Sequence, residues 1–226
     1  MGKEYQRDIN VISAPDVAVE PMLVTDFSHH YWYRAYGTAG FAVERDPRRM
    51  ASGLASLRLI TKSSPAIGNY VAQGFFPPTS ERRYREHIIT FCPTAVTVTD
   101  GIIVFDVFVV DWNVGLEYYF SVRLDLLNSV IQIQTAAGVW TTVATMPARL
   151  IQNAWVTFCF VIDTMNLQWH SLKLQNWDID VSNYTYFGSA GGNISDYLFI
   201  GLYCGTTNQL EMWVDKVVVQ GTDIVP

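Results

Sequence analysis

Charged side chains are scarce in this chain, and those present leave it with a small negative balance. Only 16% of the 226 residues are charged, with 15 lysines and arginines against 21 aspartates and glutamates and a net charge of −6. Half of the residues are hydrophobic, which argues against a disordered chain. A net negative charge gives no attraction to a phosphate backbone, so no nucleic-acid partner is expected. Neutral sugars remain compatible ligands, since they require no opposite charge.

Cysteine is also rare. The three cysteines are Cys92, Cys159 and Cys204. Their odd number and wide spacing favour neither a disulfide framework nor a zinc site. We interpret them as small buried hydrophobic residues, and the alternative is one disulfide with one free thiol.

Long apolar runs are missing. No stretch reaches the roughly 18 apolar residues of a membrane-spanning helix, so no membrane insertion is expected. The polar segment from Met1 to Val11 lacks the apolar core of a secretory signal. The location stays open between the cytoplasm, a virion, and export by a signal that has been removed.

What the chain does contain is a two-residue alternation of apolar and polar side chains. In the clearest stretch, Tyr118 to Leu126, every second residue is apolar, as a strand with one buried face requires. We predict about a dozen strands and no convincing helix, with Val96–Thr99 as a strand that enters a hairpin turn at Asp100-Gly101. This pattern predicts an all-β protein, a two-sheet antiparallel β-sandwich. The predicted domain covers residues 16–226 and follows a polar N-terminal arm, residues 1–15.

Three segments resemble known sandwich families. Asp26-Phe27, Trp32 and the strand after Gly53, "GLASLRL", are similar to the opening of jelly-roll carbohydrate-binding modules. The stretch "EMWVDKVVV", which begins at Glu211, resembles the closing strand of these modules and of concanavalin A-like lectin domains. "WHSLKLQNWDIDVS", from Trp169, resembles a strand pair of laminin-G-like sandwiches. The resemblance implies a concanavalin A-like jelly roll that binds carbohydrate.

Aromatic and amide side chains on the polar sides of strands are the candidate sugar ligands. Aromatic rings stack on the C–H faces of sugars, while polar groups orient the hydroxyls. The predicted ligand-binding residues are Tyr119, Arg123, Gln132, Gln134, Trp169, Trp177 and Asp106. For the two tryptophans, packing in the core is an equally good interpretation.

Asp106 interrupts an otherwise apolar strand from Ile102 to Val110. A buried carboxylate is costly unless it is paired or ligated. A salt bridge with an arginine such as Arg123 is one explanation, and a place in a binding groove is the other.

Structural calcium follows only from the resemblance. Jelly-roll modules often hold Ca²⁺ between their first and last strands, and Asp26 and Asp215 match the positions of the ligands. Calcium requires six to eight oxygen ligands, so two aspartates do not complete a site. No other cofactor is predicted.

No catalytic signature stands out. Asp106 and Asp111 are an odd number of residues apart on one strand, so they face opposite sides, and no third acid accompanies the pair Asp178 and Asp180. We therefore predict a non-catalytic module that binds a glycan in a groove on a sheet face. The alternatives are a structural or decoration protein of a virus or phage particle, with a possible homo-oligomer or particle subunit as its state, and a glycoside hydrolase or polysaccharide lyase.

Overall fold

The computed structural model describes residues 19–25, 35–75, 77, 82–111, 114–191 and 196–223. These residues form one short helix, α1, and strands β1 to β16. The elements are β1 Val19–Thr25, β2 Ala35–Gly37, β3 Ala42–Asp46, β4 Ser56–Ile60, β5 Tyr70–Phe75, β6 Tyr84–Pro93, α1 Ala95–Asp100, β7 Gly101–Asp111, β8 Leu116–Asp125, β9 Val130–Ala136, β10 Val139–Thr145, β11 Val156–Asp163, β12 Gln168–Leu174, β13 Trp177–Asp180, β14 Gly188–Gly191, β15 Tyr197–Cys204 and β16 Glu211–Thr222.

The strands build two antiparallel sheets, which confirms the predicted all-β sandwich. The first sheet has the order β13-β12-β11-β6-β16-β4-β3, and β1 pairs with β16. The second sheet has the order β10-β9-β8-β7-β15-β5-β2, and β14 pairs with β8. Because neighbours in each sheet are often distant in sequence, the fold depends on crossovers between the sheets rather than on a simple meander.

The core lies between the sheets and is built by strict alternation along the central strands. On β7, Phe105 and Val107 point inward, and on β8 Phe120 and Val122 do the same. All four side chains are almost completely buried. The intervening residues therefore form the outer face of the second sheet.

The segment predicted as a strand before Gly101 is instead the helix α1. The Thr94 hydroxyl caps its N-terminus by accepting from the amide of Thr97 at 3.2 Å. The Thr97 hydroxyl donates to the Glu211 carbonyl at 2.7 Å and ties the helix to β16. These contacts override the β propensity of "AVTV", and β7 begins directly at Gly101 without a hairpin.

A buried ion pair joins the two sheets at one end of the core. Arg85 on β6 lies 2.8 Å from Asp196, which precedes β15, and both side chains are at most 3% exposed. Asp196 also accepts from the amide of Val110 at 3.0 Å. The pair therefore links one sheet to the other through a charge contact that water cannot reach.

The three cysteines are free thiols, with Cys92 and Cys204 buried and Cys159 partly exposed. The alternative of one disulfide is therefore wrong. In the described ranges, no helix is long and apolar enough to cross a membrane.

Candidate functional site: an aromatic sheet face

The outer face of the second sheet carries an unusual number of aromatic rings. We call this surface the aromatic face. It contains Tyr36, Tyr70, Phe108, Tyr119, Trp140, Tyr197, Phe199 and Tyr203, all only partly buried. Partly exposed rings on a sheet face can offer their surfaces to a ligand.

Most of the ring contacts on one half of the aromatic face are edge to face. The centroid of Phe199 lies 5.3 Å from that of Tyr36 and 5.7 Å from that of Phe108. Phe108 continues the contact to Tyr119 at 4.8 Å and to Tyr197 at 5.7 Å. Such mutual packing holds the rings in fixed orientations before any ligand arrives.

A second aromatic pair lies on the same face, four residues along β15 from Phe199. Tyr70 and Tyr203 stack with centroids 4.9 Å apart and an interplanar angle of 12°. The Tyr203 ring lies over Gly201. A Cβ added at that glycine would lie only 2.8 Å from Tyr203 Cε2, so no larger residue fits there while the ring keeps its place. Gly201 pairs with Ala72 on one side and Val104 on the other. Small side chains thus leave room for the tyrosine to lie across the sheet.

Asp106 lies between these aromatic groups. Its neighbours across the strands are Phe199 and Ser121. The Ser121 hydroxyl donates to Asp106 Oδ1. Burial raises the pKa of Asp106 to about 6, and the Ser121 hydrogen bond opposes part of that rise. Burial and the nearby Asp106 charge also raise the pKa of Tyr203.

Arg123 faces the same surface but does not pair with Asp106. Its Nε donates to Gln132 Oε1 at 2.7 Å, and its guanidinium carbon lies 4.3 Å from the centroid of Trp140. The proposed Asp106–Arg123 salt bridge is therefore wrong. Gln132 in turn donates to the hydroxyl of Thr142 at 3.1 Å, so the group is held by a short polar chain.

Most of the predicted ligand-binding residues meet on the aromatic face. Tyr119 and Arg123 lie on β8 beside Asp106 on β7. Gln132 and Gln134 lie on β9, where they pair with Thr142 and Trp140 of β10. That these side chains bind a ligand stays a prediction.

Trp169 does not reach the surface, so its predicted place on a ligand-binding face is wrong and the alternative interpretation, packing in the core, is confirmed. It is 1% exposed and contacts Phe120 at 5.4 Å and Phe160 at 6.0 Å. The cause is a bulge in β12, which pairs Val161 with Ser171 but Ile162 with Trp169. The extra residue between them reverses the alternation and turns the tryptophan inward.

Trp177 lies away from the aromatic face, on β13 at the edge of the first sheet. Its ring packs partly against the core. It lines a pocket of about 380 Å³ together with Arg149, Ile151 and Asn176. Trp177 is therefore not part of the surface that contains Asp106.

Only one of the two predicted calcium ligands lies among the described residues. Asp26 lies outside the described residues. Asp215 is fully buried, and its Oδ2 accepts from the amide and the hydroxyl of Ser52 at 3.0 and 2.9 Å. In the part of the chain that the structure describes, no three His, Cys, Asp or Glu residues group as metal ligands. These contacts provide donors rather than a shell of oxygen ligands, and calcium stays a prediction.

Several aromatic residues of this face were not identified from the sequence. They are Tyr36, Tyr70, Phe108, Trp140, Tyr197, Phe199 and Tyr203. Along β15, large apolar residues occupy both sides of the strand, so alternation alone does not tell the inner side from the outer side. The sequence signal that could have identified the outer side of β15 is the series of aromatic residues on that side, interrupted only by Gly201.

The architecture is the concanavalin A-like jelly roll, and solved structures of this kind match most of the chain. A carbohydrate esterase from Shiga toxin-encoding bacteriophage phi24B superposes with a TM-score of 0.61 at 15% identity, covering 90% of this chain and 99% of that one. An endo-β-1,4-glucuronan lyase from the fungus Trichoderma reesei gives 0.60 at 12% identity, with 89% and 95% covered. A family 16 glycoside hydrolase from Bacteroides ovatus, solved with an oligosaccharide product, gives 0.51 at 12% identity, with 87% and 99% covered.

At such low identity these similarities define the fold and not the activity. No protein-family model and no curated protein sequence matches the chain.

Proposed function

We propose that the protein is a non-catalytic module that binds a carbohydrate on the aromatic face. The observation on which this proposal depends is the arrangement of fixed, partly exposed rings around Asp106 and Arg123. Rings stack on the apolar faces of sugars, and the polar groups between them can orient the hydroxyls. The jelly-roll neighbours named above include enzymes that act on carbohydrates, which is consistent with this proposal.

The spacing of carboxylates on the aromatic face supports binding without hydrolysis. Hydrolysis by two carboxylates requires a separation of about 5 to 9.5 Å. Glu117 and Asp125 each lie four residues along the strand from Ser121, the partner of Asp106. Four residues of strand correspond to about 13 Å between Cα positions, which is longer than the separation of carboxyl groups that act together on one glycosidic bond.

A glycan array followed by titration calorimetry tests the proposal. We expect binding that weakens at least tenfold in Trp140→Ala, because one stacking surface is removed. Trp177→Ala is the matched control, since it removes a partly exposed tryptophan on the other sheet and should leave the affinity unchanged. Absence of binding to every glycan would refute the proposal. Release of reducing ends or unsaturated sugars from a bound polysaccharide would replace the non-catalytic module with an enzyme.

The alternative role in a particle concerns the polar arm, residues 1–15, which lies outside the described residues. Oligomers that disappear when the arm is deleted, in a protein that binds no sugar, would favour that alternative.

A further inference from the structure

We propose that the aromatic face selects acidic glycans, with Arg123 as the site that receives a carboxylate of the sugar. This inference rests on the proposed carbohydrate binding and specifies its ligand class. It depends on how Arg123 is held and on which of its hydrogen-bond donors remain available.

Arg123 differs from the arginines that form ion pairs. Arg48, Arg58, Arg82, Arg83 and Arg85 each have a carboxylate within 4 Å. Arg123 is partly buried, yet in the described part of the chain it has no such partner. Burial of an arginine without a paired carboxylate has a cost in solvation, and burial lowers the pKa of Arg123, while the nearby charge of Asp125 opposes part of that fall. A ligand that supplies the negative charge would offset that cost.

The guanidinium is oriented for an external partner. Gln132 accepts from Nε, and Trp140 lies 4.3 Å below the guanidinium carbon, so one edge and one face of the group are occupied. The two Nη atoms have no hydrogen-bond acceptor among the described residues. A guanidinium offers donors in a fork that matches the two oxygens of a carboxylate, which favours a planar acid over a hydroxyl.

The surroundings fit a sugar acid rather than a free anion. Trp140 adjoins the guanidinium, while Val104 separates Arg123 from Gly201 along the same row of the sheet. A pyranose ring placed over this row can stack on an aromatic ring while its carboxylate reaches Arg123. Asp106 lies diagonally across from Arg123, and the high pKa of Asp106 limits its repulsion of an acidic ligand near pH 6.

Matched pairs of oligosaccharides test the inference by titration calorimetry. The pairs are uronate oligomers and their neutral counterparts of the same linkage and length, with methyl-esterified galacturonate oligomers as an uncharged form of the acid. We expect the wild-type protein to bind the acidic member at least tenfold more tightly than the neutral or esterified one. This preference should weaken as the salt concentration rises.

Arg123→Gln should remove the preference, with a loss of about tenfold to a hundredfold for the acidic oligomer and little change for the neutral one. Arg149→Gln is the matched control, because it removes an exposed arginine next to Trp177 and should leave the preference intact. Thermal unfolding of each variant verifies folding. A preference for neutral sugars, or an acid preference that survives Arg123→Gln, would overturn the inference while leaving carbohydrate binding in place. Failure to bind any glycan would overturn both.

Discussion

Replacing Asp106 with asparagine should make the protein more stable at neutral pH. Burial raises the pKa of this carboxyl from 3.8 to about 6, so the folded state disfavours the ionised form. The difference corresponds to about 3 kcal/mol of stability lost once the group is ionised. An amide can still accept from the Ser121 hydroxyl but leaves a partly buried donor, which costs about 1 kcal/mol. We therefore expect Asp106→Asn to gain about 2 kcal/mol at pH 7.

The gain should depend on pH in a defined direction. Well below the unfolded-state pKa of 3.8, the carboxyl of Asp106 is protonated in both the folded and the unfolded state, so ionisation has no cost there. The cost develops as the pH rises from about 4 to 6 and is complete above the folded-state pKa. The difference in the free energy of unfolding between Asp106→Asn and wild type should rise over that interval and then level off.

Urea unfolding followed by tryptophan fluorescence at pH 3.5, 5 and 7 measures this difference. Asp178→Asn is the matched control, because Asp178 is 76% exposed and its change should stay within about 0.5 kcal/mol at every pH. A mutant less stable than wild type at pH 7, or a difference that does not vary with pH, would show that Asp106 is not destabilised by its surroundings. A confirmed gain would show that the buried carboxylate of Asp106 reduces stability at neutral pH, as residues kept for a function often do.

Two further variants separate the aromatic face from the core. Gly201→Ala places a Cβ 2.8 Å from Tyr203 Cε2 and should displace that ring, so glycan affinity measured by calorimetry should fall about tenfold in a protein that still folds. An unchanged affinity would mean that the position of the ring does not matter. Asp196→Asn removes the carboxylate that lies 2.8 Å from the buried Arg85 and should reduce the free energy of unfolding by about 3 kcal/mol in urea titrations, with sugar affinity unaffected. A loss below about 1 kcal/mol would contradict the importance of this ion pair.

The residues of β7 and β8 show how far alternation can predict a site. The pattern from Tyr118 to Leu126 placed Tyr119 and Arg123 on one face, and the register of the two strands brings that face next to Asp106. This prediction holds because the period of a strand is two wherever no bulge intervenes. The same reasoning failed for Trp169, since one extra residue in β12 changes which side of the strand is buried.

The partners of Asp106 and Arg123 could not be predicted from alternation. A position on the same face leaves open which of several groups within reach will pair. The structure pairs Asp106 with Ser121 and Arg123 with Gln132. These choices depend on cross-strand register, which is set by contacts across several strands rather than by the local sequence.

The two-residue rhythm and the turn residues were enough to define a two-sheet antiparallel sandwich, because each strand reports its own buried side through the residues it carries. Tertiary structure alone decided that β15 lies between β5 and β7 and that its aromatic side faces outward. It also decided that Trp169 is buried and that Tyr70, Tyr203 and Trp140 join Asp106 and Arg123 on one surface. The physical reason is that strand order and bulges arise from packing between segments distant in the chain, which no local pattern records.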